Sequence, residues 1–371
     1  MGRFDDVVND LARAAARYAT SSTSTGTVPE RESSLIKLNA NESVYGPSPK
    51  AVAAMRAALN SSHLYPDDGC AALRDKLAER QGINANEILI ANGLTALLGV
   101  IARTMLRPGS NAVTSACSFI SYPMVTHAAG AQFVETPLRN GGYDLDAMLA
   151  AINADTRLVF LANPNNPTGT LADAGAVDRF LQGVPRHVLV VLDEAYFDYA
   201  NYFASKRGVE YSRALDYVRQ ERNVVVLRTF SKAHGLAGVR VGYGMGPAGL
   251  MAYFRCVQDV FAVSELAQAA ALAALDDDAH VQKVLEKNSE QAQWMQQELV
   301  ALGYQLIPTW TNFVTLEIGQ DSREFAQRLR QQGVLVRPLG AWGARTSIRV
   351  TLGTREQNQA FVHALAKLSE A

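Results

Sequence analysis

The chain has 371 residues, 48% of them hydrophobic and 19% charged, and its 35 Lys and Arg against 36 Asp and Glu leave a formal charge of −1. Domains typically hold about 100–200 residues, so this length predicts two, each with its own core, and the apolar fraction excludes a disordered chain. The balanced charge offers no basic cluster for nucleic acid or anionic lipid, so the expected partner is a small molecule.

Residues 4–18 have the pattern of a short amphipathic helix, and the polar run TSSTSTGT at 20–27 breaks it, which predicts an N-terminal arm. The first thirty residues lack an apolar targeting core, and no later stretch approaches the roughly twenty apolar residues of a membrane span. Cys70, Cys117 and Cys256 are odd in number and far apart, so neither a disulfide framework nor a paired-cysteine metal site is expected. The reading is a soluble, cytoplasmic protein without a metal centre. Seven short apolar or β-branched runs then follow between helical patterns: ILIA at 88–91, AVTS at 112–115, QFVET at 132–136, LVFLA at 158–162, VLVVL at 188–192, VVVLR at 224–228 and RVGYG at 240–244. Near-continuous apolar runs separated by helices mark buried, mostly parallel strands, predicting a doubly wound α/β domain over 50–265. From 266 to 371 the pattern changes to long helices, about 264–275 and 279–302, then to the strand-like runs TNFVTLEI, VLVRP and SIRVTLG with further helices beside them. That predicts a smaller α+β domain, with residues 1–49 forming the arm and a segment that joins it.

In open α/β sheets, ligands gather beyond the carboxyl ends of the strands. Four of the seven runs deliver reactive residues there: Asn163 in NPNNPTG, Asp193 and Tyr196 in DEAY, Lys232 in TFSK, and Arg240 at the start of RVGYG. Thr229, Ser231 and Arg240 set hydroxyls and a planar guanidinium around one amine, a phosphate cradle beside a nucleophile. Pyridoxal phosphate is the cofactor that needs both, because its aldehyde bonds covalently to a lysine. The phosphate needs further donors, and NGLT supplies them: Gly93, Leu94 and Thr95 open a helix and present backbone N–H groups.

RTFSKAHGLAGVRVGYG, NPNNPTG, DEAY, LNANESVYGPSP, YPD and SIRVTLG together resemble the fold type I pyridoxal-phosphate aminotransferases, and within them the histidinol-phosphate aminotransferase family, over about residues 36–360. The resemblance implies a homodimer with shared active sites that transfers an amino group between L-histidinol phosphate and 2-oxoglutarate, with imidazole-acetol phosphate and glutamate as the other pair. It implies that Lys232 anchors the cofactor and acts as general base. Asp193 would pair with the pyridine nitrogen, and Tyr196 with Asn163 would meet the cofactor's phenolate oxygen. Phe119 would cover the ring, the turn at Gly93–Leu94–Thr95 would hold the cofactor phosphate, and Tyr65 would reach a phosphate across the subunit boundary. Asn41 and Arg349 would line the carboxylate site, and Arg337 would bind the substrate phosphate.

Read on local chemistry alone, several of these have other uses. Asp193 could cap the next segment, Asn163 could turn the chain before Pro164, Phe119 could be core, YPDD could be a turn, and Arg349 could sit in an internal salt bridge. The sequence departs from the family wording at Ser43-Val44, at Gly93-Leu94-Thr95-Ala96 and around Phe261, close to where substrates are selected. A different amino-acid transformation on the same scaffold, such as an aromatic aminotransferase or a phospho-amino-acid decarboxylase, therefore stays open. So does a cofactor-sensing binding module, against which stands the lack of a basic DNA-binding segment before residue 36.

Overall fold

A computed structural model describes residues 7–8 and 35–369; the arm expected over 1–35, with its helix at 4–18, lies otherwise outside the described residues. All seven expected runs of the larger layer form strands: β1 (Ile88–Ala91), β2 (Asn111–Ser115), β3 (Gln132–Thr136), β4 (Thr156–Ala162), β5 (Leu189–Asp193), β6 (Val224–Thr229) and β7 (Gly242–Met245). They make one sheet in the order β1-β7-β6-β5-β4-β2-β3. Every residue of β5 and β6 is buried, as expected where helices cover both faces and each buried Val or Leu side chain contributes about 1.5–3 kcal/mol. The edge strand β3 carries the exposed Gln132 and Glu135, which blunt that edge.

Only β7 runs against its neighbours, with Gly242 opposite Thr229 on one side and Ala91 on the other. This reversal matters for the site. A residue placed just before β7 lies at the same rim as residues placed just after the parallel strands.

The second core gathers around a three-stranded antiparallel sheet of β8 (Phe313–Glu317), β9 (Arg337–Pro338) and β10 (Ser347–Thr351), with β10 central. Helices Asp278–Ala301, Ser322–Gln331 and Arg355–Ser369 flank it, and Leu285, Met295, Phe325, Leu329, Phe361 and Leu365 bury against Phe313, Ile348 and Val350. The short strand Ile36–Lys37 pairs in parallel with Val334–Leu335, so the segment entering the larger layer is first fastened to the smaller one. Helix Glu265–Ala274, capped by the Ser264 hydroxyl, buries Ala267, Ala270, Ala271 and Ala274 in the core of the larger layer. The division expected at 265/266 assigned this helix to the second domain; its small apolar face belongs to the first. Tyr196, Tyr199 and Phe203 run the other way, from the end of β5 into the second core.

Candidate active site

Between the two cores lies a cavity with about 610 Å³ of empty space, mouth included, lined among others by Leu94, Phe119, Asp193, Tyr196, Lys232 and Arg240. They come from several turns at the same rim of the sheet, with Asp193 and Tyr196 sharing the one after β5.

Asp193 is the last residue of β5 and 4% exposed. Its Oδ2 accepts from the Tyr122 hydroxyl at 2.9 Å and its Oδ1 from the Ala195 N–H at 3.1 Å. Burial pushes its carboxyl up to about 6, with the Tyr122 and Ala195 hydrogen bonds and the nearby Lys232 charge acting in the opposite sense. Asp193 does not cap a helix; it faces the cavity. Tyr122 is itself fully buried, stacked on Phe160 at 4.5 Å, and was not legible as a site residue because it reads as part of an apolar helix face.

The Lys232 ammonium donates to the Asn41 carbonyl oxygen at 3.3 Å and lies 5.4 Å from the centre of the Tyr196 ring. The Tyr196 hydroxyl accepts from the Asn41 side-chain amide at 2.8 Å, and its ring meets Phe313 edge-on at 5.3 Å. Asn41 is held in the left-handed conformation, φ 55°, by hydrogen bonds between its backbone N–H and side chain and the Thr351 hydroxyl, 310 residues away in sequence. The N-terminal segment, the larger layer and the smaller sheet thus meet at one amine.

The phosphate cradle also assembles. Thr229 and Ser231 hydroxyls are 3.1 Å apart, Arg240 Nη1 donates to Ser231 Oγ at 3.3 Å, and Leu94 and Thr95 open the helix Leu94–Met105 at the cavity wall. The guanidinium of Arg240 lies against Gly93. A Cβ built on Gly93, whose φ is +79°, would stand 2.3 Å from Arg240 Nη2. Arg240 reaches this corner because the reversed β7 starts there. Phe119 lines the cavity and meets Tyr122 edge-on.

Asn163 is a correction. Its side chain is closed on Ala172, donating to the carbonyl at 2.8 Å and accepting from the N–H at 2.9 Å, and it does not reach Tyr196. Three residues on, Asn166 lines the cavity instead and accepts a hydrogen bond from Arg349. NPNNPTG contains two Asn-Pro pairs, and local sequence gave no means of choosing between them. Tyr65 is likewise outside its own chain's cavity: it is 82% exposed and stacks on Phe261 at 4.5 Å.

Arg349, in the middle of β10, is 5% exposed, and burial lowers its pKa to about 10. Among the described residues no carboxylate offsets that burial and no internal salt bridge forms; the neighbouring charge is Arg337, directly opposite on β9. Arg337 Nε and Arg349 Nη2 both donate to the Asn39 carbonyl at 3.2 Å. Two adjoining guanidiniums without an acid, one of them buried, form a site for an anion supplied from outside.

A cavity holding one amine, a buried carboxylate and a hydroxyl–guanidinium corner on an open α/β sheet defines a class of enzyme, and comparison with known proteins agrees. The family model for aminotransferase class I and II matches residues 33–365, and the chain belongs to that family. A histidinol-phosphate aminotransferase of Moorella thermoacetica is 44% identical over 335 residues, covering 90% of this chain and 85% of its own. Histidinol-phosphate aminotransferase 2 of Pseudomonas fluorescens is 44% identical, covering 90% and 89%. The crystal structure of histidinol-phosphate aminotransferase from Sinorhizobium meliloti in complex with pyridoxal-5'-phosphate is similar with a TM-score of 0.83 and 31% identity, covering 90% of this chain and 91% of that one. The residues here fit that cofactor: the corner at Gly93 stays open only without a side chain, and the buried Asp193 needs a cation opposite it.

Proposed function

We propose that the protein transfers an amino group between L-histidinol phosphate and 2-oxoglutarate, giving imidazole-acetol phosphate and glutamate, with pyridoxal 5'-phosphate as cofactor. The observation that carries the amino-transfer reading is the convergence of Lys232, Asp193, Ser231 and Arg240 on one cavity. Support for the substrate pair comes from the relatives named above and from the guanidiniums of Arg337 and Arg349, which face no carboxylate among the described residues.

When bound, the cofactor supplies a protonated pyridine ring that draws electrons from the substrate Cα. Asp193 holds a negative charge against that ring nitrogen in a pocket where water does not screen it. The Lys232 amine would hold the cofactor covalently and, when free, would accept the substrate's Cα proton as general base. Tyr196, already bonded to Asn41, offers its hydroxyl to the ring oxygen, with Asn166 rather than Asn163 beside it. Thr229, Ser231, Arg240 and the N–H groups at Leu94 and Thr95 hold the cofactor phosphate, while Phe119 covers the ring. Arg349 and Arg337 hold the anionic group of the substrate.

The exposed patch of Leu64, Tyr65, Val260 and Phe261 is where we place a second copy of the chain in a homodimer, with Tyr65 reaching the partner's cavity. The compartment proposed is the cytoplasm, in keeping with the three free cysteines; among the described residues no helix is long and apolar enough to cross a membrane. Borohydride treatment of the protein purified with its cofactor tests the anchor, and the expected reduced adduct lies on the peptide containing Lys232. Turnover with 2-oxoglutarate is expected for histidinol phosphate above phenylalanine, tyrosine or O-phosphothreonine. An unmodified Lys232 refutes the anchor, and preference for another amino compound refutes the substrate.

A further inference from the structure

Among the described residues few buried side-chain polar atoms lack a hydrogen-bond partner, and two of them are neighbours: Arg349 Nε and the indole Nε1 of Trp342. The Arg349 guanidinium carbon lies over the Trp342 ring, 6.0 Å from its centre. Trp342 ends the short turn Gly340–Trp342 that follows β9, so the strand bearing Arg337 leads directly into the indole. The indole also walls a cavity with about 1240 Å³ of empty space, mouth included, between the two layers, whose lining includes Cys117 and Thr168. A donor removed from water and left unpaired carries its full desolvation penalty, which disappears if a ligand brings the acceptor.

The donors already in use show what that acceptor must look like. Arg349 gives Nη1 to Asn166 and Nη2 to Asn39, leaving Nε; Arg337 gives Nε to Asn39, leaving its two terminal nitrogens without a partner among the described residues. Unused N–H groups therefore come from three places: Arg349, Arg337 and Trp342. A carboxylate offers two oxygens, whereas a phosphate monoester offers three around a tetrahedral centre.

We propose that Trp342 is a specificity-determining residue, whose indole N–H donates to the phosphate of the amino substrate alongside Arg337 and Arg349. This deepens the function proposed above and rests on it for the identity of the phosphate ester. The guanidinium–indole face contact keeps the ring in place, and a phenyl ring would preserve that contact while deleting the N–H.

Trp342→Phe tests it in the cofactor-loaded enzyme. A hydrogen bond to a charged group is worth roughly a tenfold change or more in affinity. The KM for histidinol phosphate should rise about tenfold, with kcat and the KM for 2-oxoglutarate within about twofold of wild type. Inorganic phosphate, titrated calorimetrically into the same loaded enzymes, should bind the variant about tenfold more weakly. An unchanged KM with unchanged phosphate binding overturns the proposal, and so does an equal rise in KM for both substrates, which is what a structural role would give. If wild type fails to turn over histidinol phosphate, the proposed substrate falls, and the phosphate titration still decides the role of Trp342.

Discussion

Asp193→Asn should stabilise the cofactor-free protein while weakening its hold on the cofactor. The carboxyl is raised from its ordinary 3.8 to about 6, with burial as the main cause, so the folded protein pays for an ionised Asp193 at neutral pH. A shift of about two units corresponds to roughly 3 kcal/mol. The sign follows from the raised value: the penalty is complete above about pH 6 and disappears as pH falls through 6 toward 3.8. An Asn keeps both hydrogen bonds, because its oxygen can accept from Ala195 N–H and its amide can donate to the Tyr122 hydroxyl oxygen. Chemical denaturation of cofactor-free wild type and variant at pH 8 should therefore show the variant more stable by about 1–3 kcal/mol, a gain that shrinks toward pH 5. In the same samples cofactor affinity should fall at least tenfold, since the pyridinium loses its counter-charge. A variant less stable than wild type at pH 8, or a stability difference independent of pH, would refute the reasoning.

Behind Asp193, the fully buried Glu194 pairs with Arg228 at 2.8 Å, and the guanidinium lies on the Phe197 ring at 3.4 Å. Arg228→Met should cost about 3–5 kcal/mol by leaving a buried carboxylate unpaired, and Glu194→Gln in the same background should recover part of that loss in denaturant titrations. Gly93→Ala should leave folding largely intact but raise the cofactor dissociation constant at least tenfold, read by absorbance titration. The backbone there strains any side chain by about 1–3 kcal/mol, and the new Cβ displaces Arg240.

Much of this molecule was legible before any coordinates. β5 and β6 are apolar until their last residues, so Asp193 and the Thr229–Lys232 run stood out as polar groups at strand ends. Their chemistry followed from residue type. The strands of the smaller layer and the helices Asp278–Ala301 and Glu265–Ala274 were readable from periodicity, although the packing of the latter was not, because an alanine-rich face fits either core.

What only the folded chain decided are relations between distant or equivalent residues. Asn163 and Asn166 each precede a proline, and the choice between them depends on Ala172 capturing the first. Arg240 joins the phosphate corner because β7 runs antiparallel, a direction that an apolar run of four residues does not encode. Tyr122 looks like core until its hydroxyl meets Asp193, and Asn41 reaches Tyr196 and Thr351 only through the pairing of Ile36–Lys37 with Val334–Leu335. Local sequence determines which backbone states and which chemistry are available, because those depend on neighbours a few bonds away. Which groups share a cavity depends on strand direction and on packing between segments hundreds of residues apart, and these are properties of the whole fold.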